Sequence, residues 1–223
     1  MNELRKVCTK NNICLIFDEA QTGWGWLGKM SAAEVYDVIP DICVFSKAVT
    51  SGYGPLSLMV AKQKYGFQPY GTAEKTNGGD LRSLVAGNAV LDRLLGISTN
   101  PYLKNLEISS LPIELQHDLK EGLLKTSYTR TLGLLNQNLK KLQKSSNKIG
   151  KLKGYGLVRG FEILNNDGAP DNSLAQKFAE ECYNLGVFVK NSNNTIMLRP
   201  SLTINKKQMD KAFKIFSNVL QRI

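Results

Sequence analysis

Histidine is nearly absent from this sequence, in which His117 is the only one. Chemistry that needs a pair of histidines, as many zinc sites do, is therefore excluded. Cysteine is also scarce, and the spacing of Cys8, Cys14, Cys43 and Cys182 matches no metal-ligand pattern. Three of the four lie in apolar segments. We expect free, reduced thiols and no metal site.

Long apolar runs are missing as well. No stretch approaches the roughly 20 residues that a membrane-spanning helix needs. The charged start, residues 1–6 (MNELRK), is not followed by an apolar segment and does not resemble a signal peptide. Hydrophobic residues make up 42% and charged residues 22% of the 223, an ordinary globular balance. We expect a cytoplasmic protein without a membrane partner.

Acidic residues are in deficit, with 19 against 29 basic residues and a formal net charge of +10. Such an excess can indicate a nucleic-acid partner, whose binding would weaken steeply with salt. However, the densest lysine stretch, residues 140–153, has no interleaved aromatic side chains of the kind that single-strand binding favours. A charge run of this type is more typical of a solvated helix face. We expect no nucleic-acid partner.

Short apolar runs alternate with polar segments in the first part of the chain. Residues 13–17 (ICLIF) and 42–45 (ICVF) are continuously apolar, which is typical of buried parallel strands, and a third run follows at 56–61. Helices are predicted at 2–11 and 31–37. This alternation favours an α/β domain with a mainly parallel sheet, which we place at residues 1–125.

The later part of the chain has a mixed pattern. Helices are predicted at 81–95, 115–145, 172–185 and 206–221, and strands at 157–164, 187–189 and 195–200. The last helix carries Met209, Phe213, Phe216 and Leu220 along one stripe, so this side should face a core. We predict a smaller α+β domain over residues 126–223.

An acid and a lysine close the first two predicted strands. Asp18 follows the first strand, and Lys47 follows the second. Ligands of open α/β sheets bind at the carboxyl ends of the strands, so the two side chains can meet over one ligand. A lysine there can form a Schiff base with an aldehyde, and an aspartate can hold a proton on a pyridine nitrogen. By spacing alone, such residues are more often surface residues or an ion pair.

The segments around these two residues are far more specific. Residues 18–25 (DEAQTGWG) resemble the DE-x-QTG-x-G signature of class III aminotransferases. Residues 40–47 (PDICVFSK) resemble the segment of that family that ends in its lysine, and the order and separation of the two also fit. The chain is therefore similar to the group that includes 4-aminobutyrate, ornithine and lysine ε-aminotransferases. The resemblance continues to the end of the chain and is weakest at about 96–150.

The resemblance implies pyridoxal 5'-phosphate (PLP) as cofactor and a role for each matching residue. Lys47 would form the Schiff base and later move the proton at the substrate carbon. Asp18 would pair with the pyridinium nitrogen, and Gln21 would bond the phenolic oxygen through its amide. Thr76 occupies the family's T-x-GG-[ND] site, where the hydroxyl reaches the phosphate of the neighbouring subunit's cofactor. We therefore expect a homodimer.

A substrate-binding arginine is expected near the end of the chain. Residues 194–202 (NTIMLRPSL) resemble the family's I-R-φ-x-P-x-L strand, in which φ is apolar. Met197 stands where the first arginine often binds the substrate carboxylate. Arg199 lies two residues further, hence on the same face of a strand, and its guanidinium suits a carboxylate. Residues 154–160 resemble a small-domain strand, in which we expect Arg159 to be a surface or structural residue.

The family's fold is fold type I, so the resemblance implies a partial large domain plus a small carboxyl-terminal domain. The amino-terminal half of the family, which supplies further strands, a phosphate-binding loop and a stacked aromatic ring, has no counterpart here. The implied function is transfer of an amino group from an ω-amino acid or similar amine to a 2-oxo acid through Lys47. The alternatives are a catalytically inactive fragment and a subunit that requires a separate amino-terminal half.

Overall fold

The computed structural model describes residues 1–66, 78–96 and 108–223. The chain divides into two compact units, Met1–Thr126 and Ser127–Ile223. None of the helices in the described ranges is both long and apolar enough to cross a membrane.

The first unit contains a three-stranded sheet. Its helices and strands are α1 (Asn2–Lys10), β1 (Ile16–Asp18), α2 (Ala32–Tyr36), β2 (Ile42–Phe45), β3 (Leu58–Ala61), α3 (Leu81–Leu95) and α4 (Ile113–Glu121). The strand order is β1-β2-β3. The parallel prediction is confirmed for β1 and β2, whereas β3 runs antiparallel to β2. The chain turns back after β2 without a crossover helix, and that connection favours antiparallel pairing.

A single buried acid organises one end of this sheet. The carboxylate of Asp41 accepts a hydrogen bond from the backbone N–H of Leu15 at 2.9 Å. Arg5 and Lys62 complete the cluster, each with a nitrogen 2.8 Å from a carboxylate oxygen. Leu15 precedes β1, Asp41 precedes β2 and Lys62 follows β3. The cluster therefore fixes the end of the sheet opposite to the carboxyl ends of β1 and β2.

The prediction of one continuous helix over 115–145 is wrong, because the helix is interrupted near its middle. The structure has two helices there, and α4 ends at Glu121, followed by the capping residue Gly122, whose φ is +84°. A Cβ at Gly122 would lie 2.5 Å from the carbonyl oxygen of Leu94 and 2.7 Å from the nitrogen of Gly96. The two backbones approach so closely that only glycine fits. The apolar periodicity continues through this turn, so the pattern could not reveal the break.

The second unit combines helices with an antiparallel sheet. Its elements are α5 (Ser127–Ser145), β4 (Ile149–Tyr155), β5 (Val158–Ile163), α6 (Asn172–Asn184), β6 (Lys190–Ser192), β7 (Thr195–Leu198) and α7 (Lys206–Arg222). The strand order is β4-β5-β7-β6. This confirms the α+β prediction. Two details were wrong: β4 was not predicted, and the strand expected at 187–189 forms at β6 instead.

Aromatic rings from three elements form the core of the second unit. Phe161 of β5 and Phe178 of α6 have ring centroids 5.7 Å apart, and Phe178 lies 5.7 Å from Phe216 of α7. Phe213 adds a further contact with Phe216 at 5.2 Å. Such pairs contribute about 0.5–1.5 kcal/mol each beyond the area they bury. All four residues of the stripe predicted for α7 are buried, which confirms that this side faces the core.

Candidate active site

Asp18 and Lys47 lie at the carboxyl ends of two paired strands. Asp18 is the last residue of β1 and lies opposite Val44 in the parallel register. Lys47 comes three residues after Val44, just past the end of β2. Both side chains are exposed. A carboxylate and an amine are thus presented at the same edge of the sheet.

The backbone of Lys47 is in the left-handed region, with φ at +46°. For a residue with a side chain this conformation costs about 1–2 kcal/mol. Hydrogen bonds on either side hold it in place. The Ser57 hydroxyl donates to the hydroxyl oxygen of Ser46 at 3.0 Å, and the buried Thr50 hydroxyl donates to the carbonyl of Gly54 at 2.6 Å. Strain of this kind is found where the chain aims a functional side chain.

The residues after β1 form a tight turn. The Asp18 carboxylate accepts a hydrogen bond from the backbone N–H of Ala20 at 3.0 Å, which restricts its orientation while the side chain remains exposed. Gln21 follows in the same turn and is exposed as well. The structure therefore brings three of the predicted cofactor-binding residues, Asp18, Gln21 and Lys47, to the carboxyl ends of β1 and β2.

Sequence reasoning missed Glu19. Its side chain is only 2% exposed, and its carboxylate accepts hydrogen bonds from the Thr22 hydroxyl at 2.5 Å and from the backbone N–H of Ala33 at 3.1 Å. Burial, with a further contribution from the charge of Glu19, raises the pKa of the Cys43 thiol to about 11. The signal was present in the sequence. Because neighbouring side chains of a strand alternate between faces, an Asp-Glu pair at a strand end places one acid outside and the other inside.

Thr76, the predicted phosphate-binding residue, lies outside the described residues, and its role stays a prediction. The turn that follows is described from Gly78 onward. There Asp80 caps α3: its carboxylate accepts hydrogen bonds from the backbone N–H of Ser83 at 3.0 Å and from the Ser83 hydroxyl at 2.7 Å. These bonds lower the pKa of Asp80 and fix the start of the helix.

Arg199 lies just after β7, in the second unit. Burial alternates along this strand: Ile196 and Leu198 are buried, Met197 is half-buried and Arg199 is exposed. A terminal guanidinium nitrogen of Arg199 lies 3.9 Å from the sulfur of Met197. Both residues line a mostly apolar cavity of about 160 Å³, whose other lining residues include Phe188. The structure thus presents Arg199 at the rim of a small apolar cavity.

Arg159, expected to be a surface or structural residue, forms hydrogen bonds within the second unit. Its Nε donates to the carbonyl of Lys153 at 3.2 Å, and a terminal nitrogen donates to the side-chain oxygen of Asn136 at 2.7 Å. These bonds connect β5 to β4 and to α5. The contacts agree with a structural role.

The family model of class III aminotransferases matches residues 1–107 and 100–220. The chain therefore belongs to the class III aminotransferases, as the motif resemblance predicted. Two similar solved structures, each 24% identical to this chain, were determined with pyridoxal 5'-phosphate bound: a taurine:2-oxoglutarate aminotransferase and an amine transaminase from an uncultivated Pseudomonas species.

One relative is an alanine/serine racemase from Pyrococcus horikoshii, which is 27% identical to this chain over 222 residues. That match covers 98% of this chain and 41% of the racemase. Acetylornithine aminotransferase from Caldanaerobacter subterraneus is 29% identical over 222 residues, with 99% and 48% covered. The chain thus spans about half the length of the curated relatives it matches.

A solved structure gives the corresponding fold. Taurine:2-oxoglutarate aminotransferase from Bifidobacterium kashiwanohense, determined with PLP and glutamate, superimposes with a TM-score of 0.78 at 24% identity. The match covers 100% of this chain and 47% of that enzyme. The predicted fold class, a partial fold type I transferase, is thereby confirmed.

Proposed function

We propose that this chain supplies the carboxyl-terminal half of a PLP-dependent aminotransferase. The enzyme would transfer an amino group from an ω-amino acid or similar amine to a 2-oxo acid. One observation carries the proposal: Asp18 and Lys47 follow paired parallel strands of a class III chain and are exposed at the same sheet edge.

The three side chains at that edge suit the chemical groups of PLP. Lys47 has the amine that can attach to the cofactor's aldehyde, Asp18 has the acid that can pair with the ring nitrogen, and Gln21 has an amide donor for the phenolic oxygen. When bound, PLP withdraws electrons from the carbon that carries the amino group. Asp18 would keep a proton on the ring nitrogen, and Lys47 would carry a proton to and from the substrate carbon.

Arg199 would bind a carboxylate of the substrate. Its guanidinium can form two parallel hydrogen bonds with such a group. The exposed position at the rim of the apolar cavity supports this role, because an anion can reach it from solvent.

A second polypeptide segment, equivalent to the other half of the relatives, would complete the cofactor site. The first unit exposes large apolar side chains on β1, β3 and α3, where Ile16 is 54%, Val60 61% and Val85 61% exposed. Apolar side chains on uncovered edge strands favour aggregation unless another chain covers them. The same surface supports the alternative that the chain by itself is catalytically silent. A homodimer, as in the family, would follow from the assembled halves.

The test is covalent capture of PLP. We expect the purified chain, mixed with PLP and reduced with borohydride, to carry the label on Lys47 in peptide maps. Lys47→Ala should lose this label. Lys29→Ala is the matched control, because Lys29 is an exposed lysine in the loop after β1 and should not alter the label.

A second sample distinguishes a chain that is inactive without its other half from a wrong assignment of Lys47 as the PLP-binding lysine. The same labelling is repeated with the amino-terminal half of the acetylornithine aminotransferase co-expressed. Label that appears on Lys47 only in the co-expressed sample would show that the chain needs a complementing half. Label spread evenly over surface lysines in both samples would refute the role of Lys47.

A further inference from the structure

Glu19 is a buried acid to which neither the motif nor the proposed chemistry gives a role. Its carboxylate receives hydrogen bonds from two neutral donors, the Thr22 hydroxyl and the Ala33 N–H. Among the described residues no cation pairs with it. A carboxylate in such a place is expensive to bury, and its hydrogen bonds must offset the lost hydration. The arrangement is therefore highly sensitive to the geometry of those two donors.

The two donors stand at opposite ends of one loop. Thr22 lies near the beginning of the segment that connects β1 to α2, and Ala33 lies in the first turn of α2. The Glu19 side chain therefore closes this loop. Backbone bonds add to the closure, because the Gly23 N–H donates to the Glu19 carbonyl at 3.0 Å.

The same residue also connects the loop to the strand that leads to Lys47. The Glu19 N–H donates to the carbonyl of Val44, in β2, at 2.8 Å. Asp18 precedes Glu19 directly, and Gln21 lies between Glu19 and Thr22. Asp18 and Gln21 therefore lie within two residues of Glu19, and Lys47 lies three residues after the carbonyl of Val44 to which Glu19 donates.

We propose that Glu19 is a positioning residue, whose buried carboxylate holds the Thr22 and Ala33 ends of the loop and thereby aims Gln21 and Asp18 at the cofactor. The role rests on the proposed function, since it concerns the same site. Glu19 itself does not touch the cofactor; it acts through the turn at residues 20–23.

Three variants separate the contributions. Glu19→Ala removes both acceptor oxygens. Glu19→Gln keeps an acceptor for the Ala33 N–H and can donate to the Thr22 hydroxyl, so it should preserve the loop without the charge. Asp37→Asn is the matched control, because it removes the charge of an exposed acid at the other end of α2.

Hydrogen exchange tests the loop without any cofactor. In Glu19→Ala, we expect the amides of Gly23 and Ala33 to exchange about 10-fold faster, the effect of losing roughly one hydrogen bond. Glu19→Gln and Asp37→Asn should stay close to the wild-type rates at Gly23. Unchanged protection in Glu19→Ala would refute the loop closure. Equal acceleration across all of β1, β2 and α1 would make Glu19 a general stabilising residue and refute the positioning role.

The cofactor readout uses the sample, alone or co-expressed, in which Lys47 is labelled. There we expect Glu19→Ala to shift the pH dependence of the bound cofactor's visible absorbance, because Gln21 and Asp18 set the proton affinity of the ring system. Glu19→Gln should restore the wild-type profile.

An unchanged pH profile in Glu19→Ala, together with faster exchange in the loop, would refute the positioning role but not the proposed function. Failure of wild type to label Lys47 in either sample would refute both the proposed function and this role, while the exchange data would still report on the loop.

Discussion

The carboxylate of Asp41 accepts a hydrogen bond from the backbone N–H of Leu15 across the beginnings of β1 and β2. This bond is the largest cause of a pKa that lies well below the ordinary 3.8 of an aspartate, and hydrogen bonds from Lys62 and Arg5 follow. All of them bind the charged form, so the folded chain resists protonation of Asp41.

We expect Asp41→Asn to lower the thermal midpoint of unfolding near neutral pH. A depressed native pKa stabilises the fold fully above the pKa of the unfolded chain, about 3.9, and this stabilisation is lost as pH falls through the native value. The difference in midpoint between wild type and Asp41→Asn should therefore shrink below about pH 4. Thermal unfolding followed by circular dichroism from pH 7 downward measures it. Asp37→Asn, at an exposed acid, is the control, and a difference that stays constant with pH would contradict the prediction.

Because the backbone of Lys47 is left-handed, we expect replacement by glycine to be less destabilising than replacement by alanine. Glycine usually weakens a fold relative to alanine, but at φ +46° only glycine is free of the steric cost. We expect Lys47→Gly to be more stable than Lys47→Ala by about 1 kcal/mol in urea unfolding, although both lack the amine. An alanine variant as stable as the glycine variant would show that the strain is absent in solution.

The close approach at Gly122 predicts opposite results for two glycine substitutions. Gly122→Ala should destabilise the chain by about 3 kcal/mol or more, because it adds a Cβ at φ +84° against the backbone of Leu94. Gly133→Ala is the paired control in α5, where nothing lies within 4 Å of the added carbon. It should stabilise by about 0.5–1 kcal/mol through helix propensity. The prediction would be contradicted if the denaturant midpoints of both variants lay above that of the wild type, or both below it.

The buried thiols offer a test of the electrostatics around Glu19. The pKa of Cys43 is raised to about 11 by burial first and by Glu19 second. Removing the nearby charge favours the thiolate, so Glu19→Gln should lower the Cys43 pKa while leaving it above the ordinary value. The pH dependence of alkylation, resolved by mass spectrometry for each cysteine, measures the shift. Cys182, whose pKa burial raises to about 12, is the internal reference and should not change.

The sequence alone was sufficient to predict those features that depend on a single local pattern. The apolar stripe of α7 repeats at helical spacing, so its burial could be predicted without knowledge of its neighbours. Asp18 and Lys47 end short apolar runs within specific motifs, so their placement at strand ends could also be predicted. In these cases the information lies within about ten consecutive residues.

Features that depend on distant segments could not be predicted. The break at Gly122 depends on the backbone of residues 94–96. The left-handed conformation of Lys47 is flanked by hydrogen bonds that involve residues as far along the chain as Ser57. β4 was missed because its alternating lysines look like a solvated helix face until β5 pairs with it.

The aromatic core described for the second unit is drawn wholly from Ser127–Ile223, with α5, α6 and α7 around the sheet. In the first unit, apolar residues of β1, β3 and α3 such as Ile16, Val60 and Val85 are in contact with water. The uncovered apolar residues on β1, β3 and α3 therefore make the first unit the more aggregation-prone part of the chain. The demand for chaperones should accordingly fall on the first 126 residues rather than on the whole chain.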